Sequence, residues 1–197
     1  NRALGALSIT TTGITTGDNG AGIDARNWEY YGNTPTSLTI NAATTTGSNA
    51  GIFADNYGTA ALEITTTGTT TGSSSNGIYA NNSAAGTSLT ISAATTTGGT
   101  QGIYAKNSGD GALTIETTGT TTGGDDGIQA FINNTASTGD LTINAATTTG
   151  GVYGIQGYNK GTGALSITTS GAITGGTGYG IRTITAANKT TTITLNS

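Results

Sequence analysis

Cysteine, methionine and histidine are all absent from this chain of 197 residues. Without cysteine there can be no disulfide, thiol nucleophile or zinc–thiolate site. Without histidine, the usual general base of a serine triad is excluded too. No glycine-rich phosphate loop or metal-spaced cluster occurs either. The sequence therefore predicts that the chain is not an enzyme and that it has no catalytic, cofactor-binding or metal-binding residues. Lack of cysteine also favours an extracellular location, because exported bacterial proteins that cross an envelope unfolded often lack it.

Charge and long apolar runs are also scarce. Only 8% of the residues are charged, the net charge is −4, and the six lysines and arginines are scattered, so no basic patch for nucleic acid is formed. No apolar run approaches the ~18 residues of a membrane span, and no signal peptide opens the chain. Low hydrophobicity indicates disorder only together with high net charge. We therefore expect a folded chain with a thin core.

What the sequence does contain is a repeat with two apolar motifs. In each motif apolar and polar residues alternate, as in strands with one buried face. The Leu-x-Ile motif recurs every 24 to 31 residues, at Leu7, Leu38, Leu62, Leu89, Leu113, Leu141 and Leu165, with a degenerate copy at Ile193/Leu195. The Gly-Ile motif recurs every 25 to 29 residues, at Ile23, Ile52, Ile78, Ile103, Ile128, Ile155 and Ile181. Such a period is typical of a solenoid, propeller or array.

A third short run, Thr-Thr-Thr-Gly, completes each repeat, so one repeat has three short strands separated by turns. This pattern predicts an all-β fold, a right-handed parallel β-helix of about seven rungs. Rungs alternate between a longer type with an extra glycine (Gly13, Gly68, Gly119, Gly171) and a shorter type with an alanine pair, which makes a two-rung repeat of 51 or 52 residues. A bulge or bend is expected at the extra glycine. The asparagines that end most Gly-Ile strands are expected to form a ladder, with ligand binding as the alternative.

The residue after each inward Gly-Ile isoleucine must point outward. Three consecutive rungs place Phe53, Tyr79 and Tyr104 at this position. The longest insertion, between Asn27 and Leu38, adds Trp28, Tyr30 and Tyr31. Exposed aromatic clusters are often interaction sites, so these six residues are the candidate partner contacts. The alternatives are that the stripe packs on itself and that Trp28 covers Tyr57, its equivalent one rung on.

Two further outward features carry alternative functions. The Thr-x-Thr rows of the third strand resemble ice-binding solenoids, although Ile14 and Ile173 replace threonine in the end rungs. Outward acids are the other feature, because a polysaccharide-active enzyme needs two carboxyl groups about 5–9 Å apart. Glu63 and Glu116 are two rungs apart on different rows, and we expect all ten acidic residues to lie on solvated faces and turns.

The segments GIYAKN, GALTI and TTG, with their relatives GIFADN, GIYANN and GALSITTSGAITG, resemble the β-helical passenger of autotransporters (type V secretion). The resemblance covers the whole chain and implies an extracellular or cell-surface location on a Gram-negative bacterium. It also implies that residues 1–197 are a single solenoid segment of a longer passenger, whose membrane contact would be made by a C-terminal barrel outside this sequence. It implies no catalytic residues.

The resulting expectation is a structural or adhesive stalk that binds host or neighbouring cells through its surface and loops. The expected partner is a host-cell receptor, a glycan or a matrix protein, or else another copy of the chain, with no nucleic acid and no cofactor. The alternatives are a released ligand for a host receptor, an ice-binding solenoid and a polysaccharide-active enzyme.

Overall fold

A computed structural model describes residues 5–29, 32 and 34–196, which form twenty strands joined by turns and loops and contain no helix. Every strand pairing among these residues is parallel, and the strands form one sheet of thirteen and one of seven. The chain winds through about seven turns, and each turn supplies a strand to each of three faces. The predicted all-β class and the parallel solenoid are therefore confirmed.

The three faces are named here after their sequence motifs. The Leu-Ile face contains the first halves of β1 (Gly5–Gly17) and β3 (Pro35–Gly47), then β5 (Leu62–Thr66), β8 (Leu89–Ala93), β11 (Leu113–Thr117), β14 (Leu141–Ala145), β17 (Leu165–Thr169) and β20 (Thr191–Leu195). The Thr face contains the second halves of β1 and β3, then β6 (Thr70–Gly72), β9 (Thr96–Gly98), β12 (Thr121–Gly123), β15 (Thr148–Gly150) and β18 (Ile173–Gly175). The Gly-Ile face contains β2 (Ile23–Asn27), β4 (Ile52–Asn56), β7 (Ile78–Asn82), β10 (Gln101–Asn107), β13 (Asp126–Ile132), β16 (Tyr153–Asn159) and β19 (Ile181–Thr185).

The core consists of columns of like residues that run along the solenoid. Ile103 lies in register between Ile78 and Ile128, and Leu113 lies in register between Leu89 and Leu141. All six of these side chains are fully buried. Each turn alone would leave its few apolar residues exposed, so stacking of neighbouring turns is what forms the core.

A ladder of asparagine side chains runs beside this core, as predicted. The Nδ2 of Asn27 donates to Oδ1 of Asn56 (2.9 Å), Asn56 donates likewise to Asn82 (2.9 Å), and Asn82 to Asn107 (3.0 Å). Ile132 takes the next position in register and interrupts the ladder. The four asparagines are 0% exposed, so their amides are used within the fold and do not face a ligand.

The glycine of the Gly-Ile motif is required by close contact between faces. A Cβ atom at Gly102 would lie 2.6 Å from the carbonyl oxygen of Gly127 and 2.7 Å from Cγ2 of Thr121. Thr121 points inward from the Thr face and is fully buried. The Thr face and the Gly-Ile face can therefore approach each other only where the latter has no side chain.

The alternation of long and short turns has a similar steric basis. In the first pair of turns the register shifts between Thr11 and Ile14, so the predicted bulge is present at Gly13. Further along, a Cβ at Gly68 would lie 2.5 Å from Oγ1 of Thr44 in the preceding short turn. The extra residue of the long turn is therefore a glycine because a threonine of its neighbour occupies the space of a side chain.

Candidate contact surface

The outward positions of the Gly-Ile face form two rows that differ from those of the other faces. The first row contains, in register, Asp24, Phe53, Tyr79, Tyr104, Gln129, Gln156 and Arg182. The second row contains Arg26, Asp55, Asn81, Lys106, Phe131, Tyr158 and Ile184. Aromatic and charged side chains are thus concentrated on this face.

Phe53, Tyr79 and Tyr104 lie side by side, as expected from the sequence. The ring centroids of Phe53 and Tyr79 are 4.7 Å apart at an interplanar angle of 3°, and those of Tyr79 and Tyr104 are 5.2 Å apart at 4°. Each ring therefore covers a face of the next ring. Burial raises the pKa of the Tyr79 and Tyr104 hydroxyls, because the phenolate would lose solvation.

Two more rings, which the sequence reasoning did not select, extend this stripe. Tyr104 contacts Phe131 at 5.7 Å and 53°, although its partner in register is Gln129, and Phe131 stacks on Tyr158 at 5.0 Å. Phe131 is a diagonal neighbour of Tyr104, within the reach of aromatic side chains across strands. We call the five residues Phe53, Tyr79, Tyr104, Phe131 and Tyr158 the aromatic ladder.

An arginine lies over the ring at each end of the aromatic ladder. The Cζ of Arg26 is 4.8 Å from the ring centroid of Phe53, and the Cζ of Arg182 is 5.8 Å from that of Tyr158. Such cation–π contacts contribute about 0.5–1 kcal/mol at exposed sites. The ladder thus has the contacts of a self-packing structure, in which three of the four neighbouring ring pairs stack and an arginine lies over the ring at each end.

Trp28 and Tyr57 form a separate aromatic pair beyond the end of strands β2 and β4. Their centroids are 6.0 Å apart and the rings are nearly perpendicular, at 87°. Trp28 therefore contacts Tyr57, as expected, but edge to face and not as a stack. Trp28 is 44% exposed and Tyr57 46%. The other two predicted contact residues, Tyr30 and Tyr31, lie outside the described residues.

The acidic residues are mostly outward, with two exceptions that correct the expectation from the sequence. Asp55 is 8% exposed and accepts a hydrogen bond from Nδ2 of Asn81 (2.7 Å). Asp126 is 4% exposed and accepts from Nε2 of Gln129 (3.0 Å), and burial raises the pKa of its carboxyl. Both carboxyl groups are covered by amide side chains that the fold brings against them, which the alternation of residues along a strand does not show.

Glu63 and Glu116 do not form a pair. Both are exposed, and in register they lie two turns apart and one outward position apart along the strand. Within the described part of the chain, no group of three or more acidic side chains could hold a metal ion. No helix there is long and apolar enough to cross a membrane.

The Thr face presents an unbroken outward row of seven threonines in register, Thr16, Thr46, Thr71, Thr97, Thr122, Thr149 and Thr174. Ile14 is outward beside this row and 79% exposed. Ile173, in contrast, pairs in register with the fully buried Thr148. The expectation that Ile173 interrupts an outward threonine row was therefore wrong, because Ile173 belongs to the inward column.

These features define the class as a repeat protein of the parallel β-solenoid type. Comparison with protein-family models, with characterised proteins and with solved structures found no match. The fold class therefore rests on the geometry of the chain itself.

Proposed function

We propose that the chain is part of an extracellular β-helical stalk with an adhesive surface, of the kind that an autotransporter passenger displays on a bacterial cell. The repeat segments GIYAKN and GALTI support this assignment by resemblance. The uniform stacking of turns also suits a stalk, because in repeat proteins each unit contacts only its neighbours and the structure extends along one axis.

One observation carries the adhesive part of the proposal, namely the uneven distribution of outward side chains. The outward row of the Thr face is threonine throughout its seven turns. The Gly-Ile face instead presents the aromatic ladder, Arg26, Lys106 and Arg182. A face whose outward chemistry varies from turn to turn offers specific contacts that a uniform face does not, so we assign partner binding to the Gly-Ile face.

The partner in this proposal is a receptor, glycan or matrix protein on another cell. We propose binding and not catalysis, because the chain has no histidine or cysteine and Glu63 and Glu116 are two turns apart. If the purified chain lowered the viscosity of an acidic polysaccharide and Glu63→Gln abolished this effect, the non-catalytic assignment would be wrong.

Adhesion is tested by measuring binding of the fluorescently labelled chain to epithelial and bacterial cells. We expect saturable binding that is lost when Phe53, Tyr79 and Tyr104 are together replaced by serine. The matched control replaces Thr46, Thr71 and Thr97 by serine, since these residues are the corresponding outward positions of the same turns on the Thr face. Circular dichroism shows whether each variant keeps its β structure. Equal binding by both variants would contradict the assignment to the Gly-Ile face.

The threonine row of the Thr face favours a second candidate function, ice binding. Seven outward threonines lie in register, one on each of seven strands, at the ~4.8 Å spacing of neighbouring strands. If this candidate is correct, the chain lowers the freezing point below the melting point, and Thr97→Lys in the middle of the row abolishes the effect. Thr114→Lys, on the Leu-Ile face, is the control.

A further inference from the structure

Trp28 and Tyr57 occupy equivalent positions in the first two turns of the solenoid. Each follows directly after a ladder asparagine, Asn27 or Asn56, where the chain leaves the Gly-Ile face. Nearly half of each aromatic side chain is exposed, at 44% and 46%. Because their rings are perpendicular, the two side chains form a corner that is open to solvent.

The corner borders an open cleft of about 310 Å³ lined by Trp28, Tyr57 and Glu29. The indole Nε1 of Trp28 donates to Oδ2 of Asp55 at 3.4 Å, and Asp55 is itself held by Asn81. This contact orients the indole before any ligand arrives. Clefts lined by aromatic side chains with a few placed polar groups are the usual form of small-ligand sites.

The charges near the corner indicate what kind of ligand fits. The Cζ of Arg26 lies 5.3 Å from the ring centroid of Trp28, and its guanidinium is paired with Asp24 at 2.7 Å. The cation–π position on one face of this indole is therefore already filled, and the carboxylates of Glu29 and Asp55 disfavour an anionic ligand. A neutral ligand is favoured, with an apolar surface for the rings and hydroxyl groups for Glu29 and the tyrosine hydroxyl of Tyr57.

We propose that the Trp28–Tyr57 corner binds a neutral pyranose ring of a glycan, an inference that rests on the adhesive function proposed above and names its ligand class. A pyranose has a face of C–H groups and a rim of hydroxyls that both donate and accept hydrogen bonds. The C–H face packs on the indole, and the rim meets Glu29 and Tyr57.

The aromatic ladder is less suited to this task although it has more rings. Its stacked members Phe53, Tyr79 and Tyr104 are almost parallel, at 3° and 4°, and each covers its neighbour's face. A sugar needs an uncovered ring face. The perpendicular pair at Trp28 and Tyr57, in contrast, combines exposure above 40% with an adjoining cleft.

Trp28 is the only tryptophan of the chain, so its fluorescence reports on this site directly. The test titrates the full chain with the methyl glycosides of glucose, galactose, mannose and N-acetylglucosamine. We expect at least one glycoside to change the tryptophan emission saturably. Ligand-detected NMR then measures the same binding in variants that lack the tryptophan.

Trp28→Ala is expected to weaken binding of that glycoside by roughly tenfold or more, equivalent to about 1.4 kcal/mol. Glu29→Gln keeps both rings and is expected to weaken binding severalfold without affecting thermal unfolding. The control is Tyr179→Ala, since Tyr179 is 65% exposed at the other end of the chain but stacks nearly parallel on Tyr153, at 19°. Its affinity for the glycoside should equal that of the unchanged chain.

Three results would overturn the inference. These are no saturable response to any glycoside, a response to choline chloride alone (which would indicate a cation site), and undiminished binding by folded Trp28→Ala. Cell binding is measured in parallel. If the chain binds cells but no glycoside gives a saturable response, the glycan inference fails while the adhesive function stands. If glycosides bind but no cell type is bound, the adhesive function fails and the sugar site stands.

Discussion

Leu113 in the middle of the solenoid and Leu195 in its last strand both lie at inward positions of the Leu-Ile face, but at different positions of the repeat and in different surroundings. Leu113 lies in register between Leu89 and Leu141 and is fully buried, whereas Leu195 pairs with Thr169 on one side and is 64% exposed. Alternation within a strand determines which side chains point inward. Burial additionally requires a neighbouring turn on each side, so inward leucines of the same face contribute unequally to stability.

The first prediction is the largest effect and tests this difference directly. Leu113→Ala should lower the free energy of unfolding by about 2–5 kcal/mol, because it leaves a cavity between two ordered neighbours. Leu195→Ala should change it by less than about 0.5 kcal/mol, because the side chain is already mostly in water. Urea unfolding followed by circular dichroism measures both. Equal losses in the two variants would show that the end turn is as well packed as the middle.

The second prediction compares two glycines. Gly102→Ala places a Cβ 2.6 Å from a backbone carbonyl, whereas a Cβ at Gly13 in the first turn meets no atom within 4 Å. We expect Gly102→Ala to cost about 1–3 kcal/mol through overpacking. Gly13→Ala should be neutral or slightly stabilising, since alanine restricts the unfolded chain. Unfolding midpoints in urea measure the stability of both variants. If Gly102→Ala is as stable as the unchanged chain, the Thr face and the Gly-Ile face do not approach each other as closely as described.

The third prediction concerns pH and the buried Asp126. Burial raises the pKa of its carboxyl above the ordinary value of 3.8, with a smaller contribution from Asp125. The folded state therefore holds this proton more tightly than the unfolded chain does. The resulting stabilisation is fully present below the unfolded pKa and is lost as pH rises through the folded pKa.

Asp126→Asn should remove this part of the pH dependence, so the variant gains stability relative to the unchanged chain between about pH 3 and about pH 7. Asp18→Asn, at an exposed carboxylate in the first turn, is the control for the loss of one negative charge. Urea midpoints at the two pH values provide the measurement. If the urea midpoint of Asp126→Asn changes with pH as much as that of the unchanged chain, the pKa of Asp126 is the same in the folded and unfolded states and the prediction is wrong.

The smallest effect is expected at the inward threonine column. The Oγ1 of Thr121 is buried without a hydrogen-bond partner, so Thr121→Val replaces an unsatisfied hydroxyl by a methyl group. Such a replacement should be neutral or stabilising by up to about 1 kcal/mol, and Ile173 already occupies the corresponding position of the last turn. Thr122→Val, outward in the same strand, is the control. Clear destabilisation by Thr121→Val would indicate that the hydroxyl has a partner in solution.

The candidate site was only partly predictable from the sequence. The placement of Phe53, Tyr79 and Tyr104 next to one another follows from the repeat, because equal positions of successive turns come into register. Phe131 was not selected from the sequence, since its contact with Tyr104 is diagonal and crosses from one outward row to the other. The burial of Asp55 and Asp126 was also missed, because the fold alone brings Asn81 of the next turn against Asp55 and Gln129 of the same strand against Asp126.

The sequence by itself determined the fold class, the number of turns and the inward columns. The sequence has two periods: apolar residues alternate every two residues within a strand, and the motifs recur about every 26 residues from turn to turn. Both periods are local properties that recur in every repeat. The tertiary structure alone decided how the rings meet: parallel at Phe53 and Tyr79, diagonal at Phe131, perpendicular at Trp28 and Tyr57. Ring orientation depends on side-chain torsions and on lateral contacts between turns, and neither is encoded in the spacing of residues along the chain.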